Sequence, residues 1–388
     1  MIPFVDLKPY VQLVSGLDKI SRADRWAVLG LSEFLARGEF IGGGPTTKAF
    51  EAALAKKLDA EHAVACANGT DALQLALRAC GIERGHRVAM PNITFWATFE
   101  AIVNVGATPV LLDIDAADYQ LDFDELVRAR ETIGVSTVVL PHLFGWCSRQ
   151  LNDFRVYCRA ERITLIEDGA QAFGVKYDGE SVFKDADVAT LSFHPAKVIG
   201  GIGDGGAVLT KNARTAARIR SLANHGRTAH FEHAVVGWNS RMDAIQATWL
   251  LRALDVADEV IEERVDLADR YLAHLQHLRT CVRSPPTVDD NGYLALHILR
   301  GDTAKAHAAS FSLGHRVQER LHERGVEGRR LYPISIADQP GEKGQCVPIG
   351  PLINSRSFSE RAFCLPLWYG MTDAQVELCA KAFEEVTR

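Results

Sequence analysis

From about residue 46 to 210, short apolar, β-branched runs alternate with longer helix-forming stretches, and turn residues separate each pair. Neighbouring parallel strands need a crossover of about a dozen residues or more, which a helix supplies, so the pattern reads as a parallel α/β sheet covered by helices. The predicted strands are 62–66, 87–90, 108–112, 137–141, 163–166, 188–191 and 207–209, with helices at 71–79, 96–105, 123–131 and 153–160 between them. Beyond residue 212 strong helix formers take over, at 212–223, 240–255 and in a charged, Ala/Leu-rich continuation to about 275. The chain is therefore expected to form a large domain, 1–255, on a mainly parallel seven-stranded sheet, and a smaller C-terminal α/β domain, 256–388. The second domain carries an apolar segment near 292–299, a helical stretch near 314–324 and a final helix from Asp373; the Gly- and Pro-rich stretch 339–355 reads as a loop.

Charge narrows the partners. With 43 Lys+Arg against 49 Asp+Glu, a formal charge of −6 and no block of like charge, the chain has no electrostatic footprint for nucleic acid or an anionic membrane. Its N-terminus, MIPFVDLKPYVQLV, lacks the basic head and apolar run of a secretory signal, and no later apolar run approaches about 18 residues. A cytoplasmic protein is expected. Eight scattered cysteines without CxxC spacing argue for reduced thiols rather than a zinc site or disulfide framework. His225, His230 and His233 fit no zinc pattern either and read as polar loop residues, His225 or Arg227 being able to reach a substrate.

Four segments carry chemistry. In Cys66-Ala67-Asn68-Gly69-Thr70-Asp71 a strand ends, a glycine allows close backbone approach and a helix begins; its free amides and dipole suit a phosphate, although a plain start capped by Thr70 or Asp71 gives the same pattern. Pro91-Asn92-Ile93-Thr94-Phe95-Trp96 presents two aromatics at another strand's C-terminal end, where a ring can stack on a flat ligand. The strand ending in Glu167 and Asp168 directs at least one carboxylate into the crevice, and a buried carboxylate needs a cationic or hydrogen-bonding partner such as a pyridine N–H. In Ser192-Phe193-His194-Pro195-Ala196-Lys197 the lysine stands before a glycine-rich, open segment and is a candidate Schiff-base former. That segment, 201–206, matches G-x-G-x-x-G, but its glycines run into an apolar strand instead of a helix, which excludes a dinucleotide fingerprint.

Together these segments resemble the DegT/DnrJ/StrS-type family of sugar aminotransferases, pyridoxal-phosphate (PLP) enzymes of the aspartate aminotransferase fold, fold type I. The similarity runs from Ile2-Pro3-Phe4-Val5-Asp6-Leu7 and Gly42-Gly43-Gly44-Pro45, through the four segments and Gly237-Trp238-Asn239-Ser240-Arg241-Met242-Asp243, to 365–372. The resemblance implies that Lys197 links the cofactor and later moves a proton between substrate carbon and cofactor. It makes Asp168 the partner of the ring nitrogen, Gln171 the contact of the ring hydroxyl, Phe95 rather than Trp96 the stacking aromatic, and Gly69, Thr70 and Ser192 phosphate ligands. Asn239 matches an asparagine that reaches the phosphate of the neighbouring subunit, implying a homodimer with shared sites.

The implied reaction moves an amino group from an amino acid, with L-glutamate the expected donor, to a nucleotide-linked (dTDP or UDP) 3- or 4-keto-sugar. A nucleotide-free keto-sugar or cyclitol is the alternative acceptor. Sugar dehydratases on the same scaffold carry His at the lysine position, so Lys197 favours transfer; a non-catalytic regulator would have lost the lysine and carboxylate retained here. Departures from the family pattern are Gly169 for Ala, Ala196 for Thr and, at the substrate end of the pocket, Leu331 for His.

Overall fold

The computed structural model describes residues 42–300 and 313–387, together with Phe34 and Gly38. The N-terminal match at residues 2–7 lies outside the described residues. Strands β1 (His62–Cys66), β2 (Arg87–Pro91), β3 (Thr108–Leu112), β4 (Thr137–Pro141), β5 (Thr164–Asp168), β6 (Val188–Ser192) and β7 (Gly206–Thr210) occupy the seven predicted places; β1, β3 and β4 have the predicted ends, and the others differ by one or two residues. Helices α1 (Pro45–Lys57), α2 (Gly69–Ala79), α3 (Trp96–Asn104), α4 (Phe123–Ile133), α5 (Leu151–Ala160), α6 (Ala213–Leu222) and α7 (Ala244–Asp255) surround them.

Alternation along each strand decides what the two faces bury. Ala63, Ala89, Val138, Leu140 and Leu191 share one apolar cluster with Phe50 and Leu54 of α1, Leu126 of α4 and Phe154 of α5. Val64, Val88, Met90, Val139 and Ile166 share the other with Leu75 and Leu77 of α2, Phe99 of α3 and Ile219 of α6. Both faces being covered, the strands read as nearly continuous apolar runs, as a buried parallel sheet requires.

The C-terminal part contains α8 (Ala257–Leu275), β8 (Ala295–Ile298), α9 (Leu313–Glu323), β9 (Arg329–Arg330), β10 (Val347–Pro348), α10 (Ile353–Arg361), β11 (Ala362–Leu365) and α11 (Asp373–Thr387). β8, β11 and β9 form a small antiparallel sheet in that order. A separate cluster, with Leu267, Tyr271, Leu321, Phe363 and Phe383, packs on one of its faces, while Leu296, Ile298, Ala362 and Cys364 on the other join the first cluster.

The main sheet runs β1-β7-β6-β5-β4-β2-β3-β10, all parallel except β7, which is antiparallel to both its neighbours. The eighth strand is a correction to the reading of 339–355 as a loop. Val347 and Pro348 pair in parallel with Val110 and Leu111, and α10 begins at Ile353. Two residues are too short a run to show a period, so only the β3 edge discloses this strand. Asn92 and Asp113, at the ends of β2 and β3, hold the same segment. The Asn92 side chain accepts from Ala337 N at 2.8 Å and donates to Ser355 Oγ at 2.9 Å, while Asp113 accepts from the amides of Asn354 and Ser355. No helix among the described residues is long and apolar enough to cross a membrane.

Candidate active site

A cavity of about 690 Å³ opens at the C-terminal ends of the strands. Its wall brings together Gly69, Thr70, Phe95, Asp168, Gln171, Ser192 and Lys197 from four different connections. Asn239 does not line it; it is exposed, and its backbone bridges to Asn224.

At the start of α2 the cap is Asn68, not Thr70 or Asp71. Its side-chain oxygen accepts the Asp71 amide at 2.8 Å, which leaves the first helical amides without an intrahelical acceptor and facing the cavity end of the dipole. The packing here admits no side chain at two glycines. A Cβ on Gly69 would lie 2.7 Å from the Cβ of Ser192, and one on Gly206 would lie 2.3 Å from the Asn68 carbonyl oxygen. The helix start and the β6–β7 end are thereby pressed into one shallow cradle.

The two carboxylates ending β5 have opposite fates. Glu167, 1% exposed, points away from the cavity into a buried cluster: Arg155 Nε and Nη2 each donate to it at 2.9 Å, and His142 Nε2 lies 2.9 Å from its second oxygen. Burial alone would push its carboxyl up, but the His142 hydrogen bond and the Arg155 guanidinium outweigh it and hold the group below the ordinary glutamate range. Asp168 faces the cavity. It accepts the Ala170 amide at 3.1 Å and the Thr98 hydroxyl at 3.3 Å, yet burial still pushes its carboxyl up against the pull of that amide and of the Lys197 amine.

Glu167→Gln is expected to cost about 3 kcal/mol of stability at pH 7, because it leaves Arg155 buried without its charge partner. The folded Glu167 carboxyl lies below its unfolded value, so its contribution is complete above about pH 4.3 and disappears as pH falls through the folded value. Denaturant titrations should therefore show the gap between variant and wild type closing in acid; a constant gap would count against the charged cluster.

Gln171 is clamped at both ends of its amide: Oε1 accepts the Phe144 N–H at 2.7 Å and Nε2 donates to the Tyr332 hydroxyl at 2.7 Å. Tyr332 adopts a left-handed φ of 47° to reach it, and burial pushes its phenol well up, so it stays protonated. Phe95 is 63% exposed at the cavity mouth, whereas Trp96 turns away to pack on Phe99 at 4.5 Å. The glycine at 169 is matched by a neighbour: a Cβ there would lie 2.4 Å from ring carbons of Phe183. Leu331 lines the cavity beside Tyr332.

Sequence reasoning missed His142, Thr98 and Tyr293, all on the cavity wall. His142 follows the end of β4 directly, and the rule that strand C-termini line the crevice points to it. Tyr293 lay hidden in a segment legible only as apolar, because its position depends on contacts distant in sequence.

These residues fit a flat, phosphorylated pyridine aldehyde. A buried acid pushed up by desolvation suits a cationic ring nitrogen, the cradle at Gly69 and Ser192 suits a phosphate, and an amine stands in the same cavity. Comparison with known proteins agrees. The model of the DegT/DnrJ/EryC1/StrS aminotransferase family matches residues 26–384. A UDP-2-acetamido-2-deoxy-3-oxo-D-glucuronate aminotransferase of Pseudomonas aeruginosa is 34% identical over 90% of this chain and 92% of its own length. The crystal structure of DesV from S. venezuelae superposes with a TM-score of 0.89 at 29% identity, covering 100% of this chain and 99% of that one. NtdA from Bacillus subtilis, solved with the cofactor PMP bound, gives a TM-score of 0.86 at 25% identity, covering 100% of this chain and 85% of its own.

Proposed function

The chain belongs to the DegT/DnrJ/EryC1/StrS aminotransferase family, and on that premise we propose that it transfers an amino group from L-glutamate to a dTDP- or UDP-linked 3- or 4-keto-sugar in amino-sugar biosynthesis. The cofactor is pyridoxal 5′-phosphate, which when bound supplies an aldehyde for amine exchange and a ring that withdraws electrons from the substrate carbon. In this proposal Lys197 anchors it through Nζ and afterwards moves the proton at the substrate carbon. Asp168 keeps the ring nitrogen protonated by offering it a buried negative charge. Gly69, Thr70 and Ser192 bind the phosphate, Phe95 covers one ring face and Gln171, held by Phe144 and Tyr332, orients the ring hydroxyl.

The protein is further proposed to be a cytoplasmic homodimer in which Asn239 reaches the partner subunit's phosphate site. The exposure of Asn239 beside the hairpin of Arg227–Ala229 and Glu232–His233, whose Phe231 is 88% exposed, supports this. The proposed division into parts 1–255 and 256–388 is supported by the separate cluster on one face of β8 and β11; their other face packs in the cluster of the large part, and β10 pairs with its sheet.

The observation that carries the reading is the convergence of Lys197 and Asp168 in one cavity with the Gly69–Ser192 cradle. L-glutamate added to the cofactor-loaded protein is expected to bleach the visible band in a single turnover, and a panel of nucleotide keto-sugars should restore it, with the aminated sugar seen by mass spectrometry. A band that no amino donor changes would refute transamination.

A further inference from the structure

Lys197 has a neighbour in the cavity that the assignments above leave unused. Its Nζ lies 3.5 Å from the Tyr293 hydroxyl oxygen and 5.3 Å from the centroid of that ring. Hydrogen bonds of this kind are often long without bound ligand and shorten when the site is filled.

The loop carrying Tyr293 is held with unusual investment. Asn291, fully buried, donates to the carbonyls of Gln171 at 2.9 Å and Phe173 at 3.0 Å, while its own side-chain oxygen accepts the Tyr293 amide at 3.0 Å. From α8, the buried Arg264 donates to the carbonyls of Gly292 at 3.1 Å and Tyr293 at 2.9 Å. Two glycines make room for these contacts. Gly292 has φ +62° and a Cβ on it would lie 2.4 Å from the Arg264 carbonyl carbon; Gly145 has φ +104° and a Cβ on it would lie 2.5 Å from Asn291 Oδ1. Buried amide and guanidinium groups stay only where their hydrogen bonds are met, so this network holds the backbone that carries the phenol in a fixed relation to Gln171, which lines the same cavity.

We propose that Tyr293 is the positioning residue for Lys197: its hydroxyl accepts a hydrogen bond from Nζ and its ring supports the end of the side chain, holding the amine where it meets the cofactor. The inference rests on the reading of Lys197 as the cofactor lysine. A lysine stem has four rotatable bonds, and an amine that must form a C–N bond with an aldehyde, releasing water, and later move a proton gains rate when those rotations are restricted.

Full-length apoprotein tests this with two separable measurements. One is the rate of covalent PLP capture at saturation, with the linkage fixed by borohydride and mapped to its peptide. The other is the Kd for pyridoxamine 5′-phosphate, which binds the same cavity without needing the lysine. Tyr293→Phe is expected to slow capture about 10- to 100-fold, the scale of a misplaced reacting group, while the Kd changes less than about 2-fold. Tyr293→Leu, which also removes the ring, should slow capture at least as much and serves the same comparison if the phenylalanine variant folds poorly. An unchanged capture rate in both variants, or a loss of capture matched by an equal loss of pyridoxamine 5′-phosphate binding, overturns the inference. Wild-type protein that captures PLP at a residue other than Lys197, or nowhere, overturns the assignment of Lys197 itself.

Discussion

Lys197→Ala is expected to lower transamination by about 10⁴-fold, the upper end of what a positioned acid–base group contributes, and to leave any bound cofactor without a covalent link. The side chain has two duties in the proposed reaction, anchoring through Nζ and moving the proton, and an alanine performs neither. The fold should survive, because Lys197 is half-buried in the cavity wall and the Tyr293 hydroxyl is the hydrogen-bond partner its Nζ has there. Borohydride followed by peptide mapping should mark Lys197 in the wild type and nothing in the variant, and circular dichroism should be unchanged. A variant that keeps its colour and a tenth of its activity would remove Lys197 from the mechanism.

Asp168→Asn is expected to lower kcat/KM for glutamate by about 10²- to 10³-fold, the magnitude seen when one preorganised electrostatic group is removed from a site. The amide preserves shape: its oxygen can still accept the Ala170 amide, and its nitrogen can donate to the Thr98 hydroxyl, whose own proton can turn to Thr94 Oγ1, so the loss isolates charge. Stability should move the other way. Burial raises the folded Asp168 carboxyl above its unfolded value, so ionising it costs folding free energy as pH rises through the unfolded value. The cofactor-free asparagine variant is therefore expected to melt about 1–2 °C higher than wild type at pH 7, while the holoprotein loses activity. The neighbouring Glu167→Gln should behave oppositely, with lower stability and a cofactor linkage still formed on Lys197. If Asp168→Asn kept full activity and Glu167→Gln lost it, the two carboxylates would have to exchange roles.

The contrast between these adjacent acids shows where sequence reasoning stops. Alternation along β5 requires Glu167 and Asp168 to face opposite ways, but which faces the cavity depends on where Arg155 of α5 and His142 after β4 meet the strand. Nothing in the local run encodes that. The aromatic pair is similar: Phe95 and Trp96 are equivalent as letters, and the packing of Trp96 on Phe99 leaves Phe95 at the cavity.

What the chain's letters determined by themselves is whatever depends on near neighbours. The seven strands, the helices between them, the glycine at the α2 start and the lysine before the open segment all follow from periodicity, branching and turn chemistry acting over a few residues. The tertiary structure decided whatever depends on distant ones: the place of antiparallel β7 between β1 and β6, the edge strand at Val347–Pro348, the Asn68 cap and the delivery of Tyr293 and Tyr332 to the cavity. A strand's partner, a carboxylate's counter-ion and a phenol's target are selected by burial and hydrogen-bond satisfaction across the whole fold, and these are properties of the packed chain rather than of any short stretch of it.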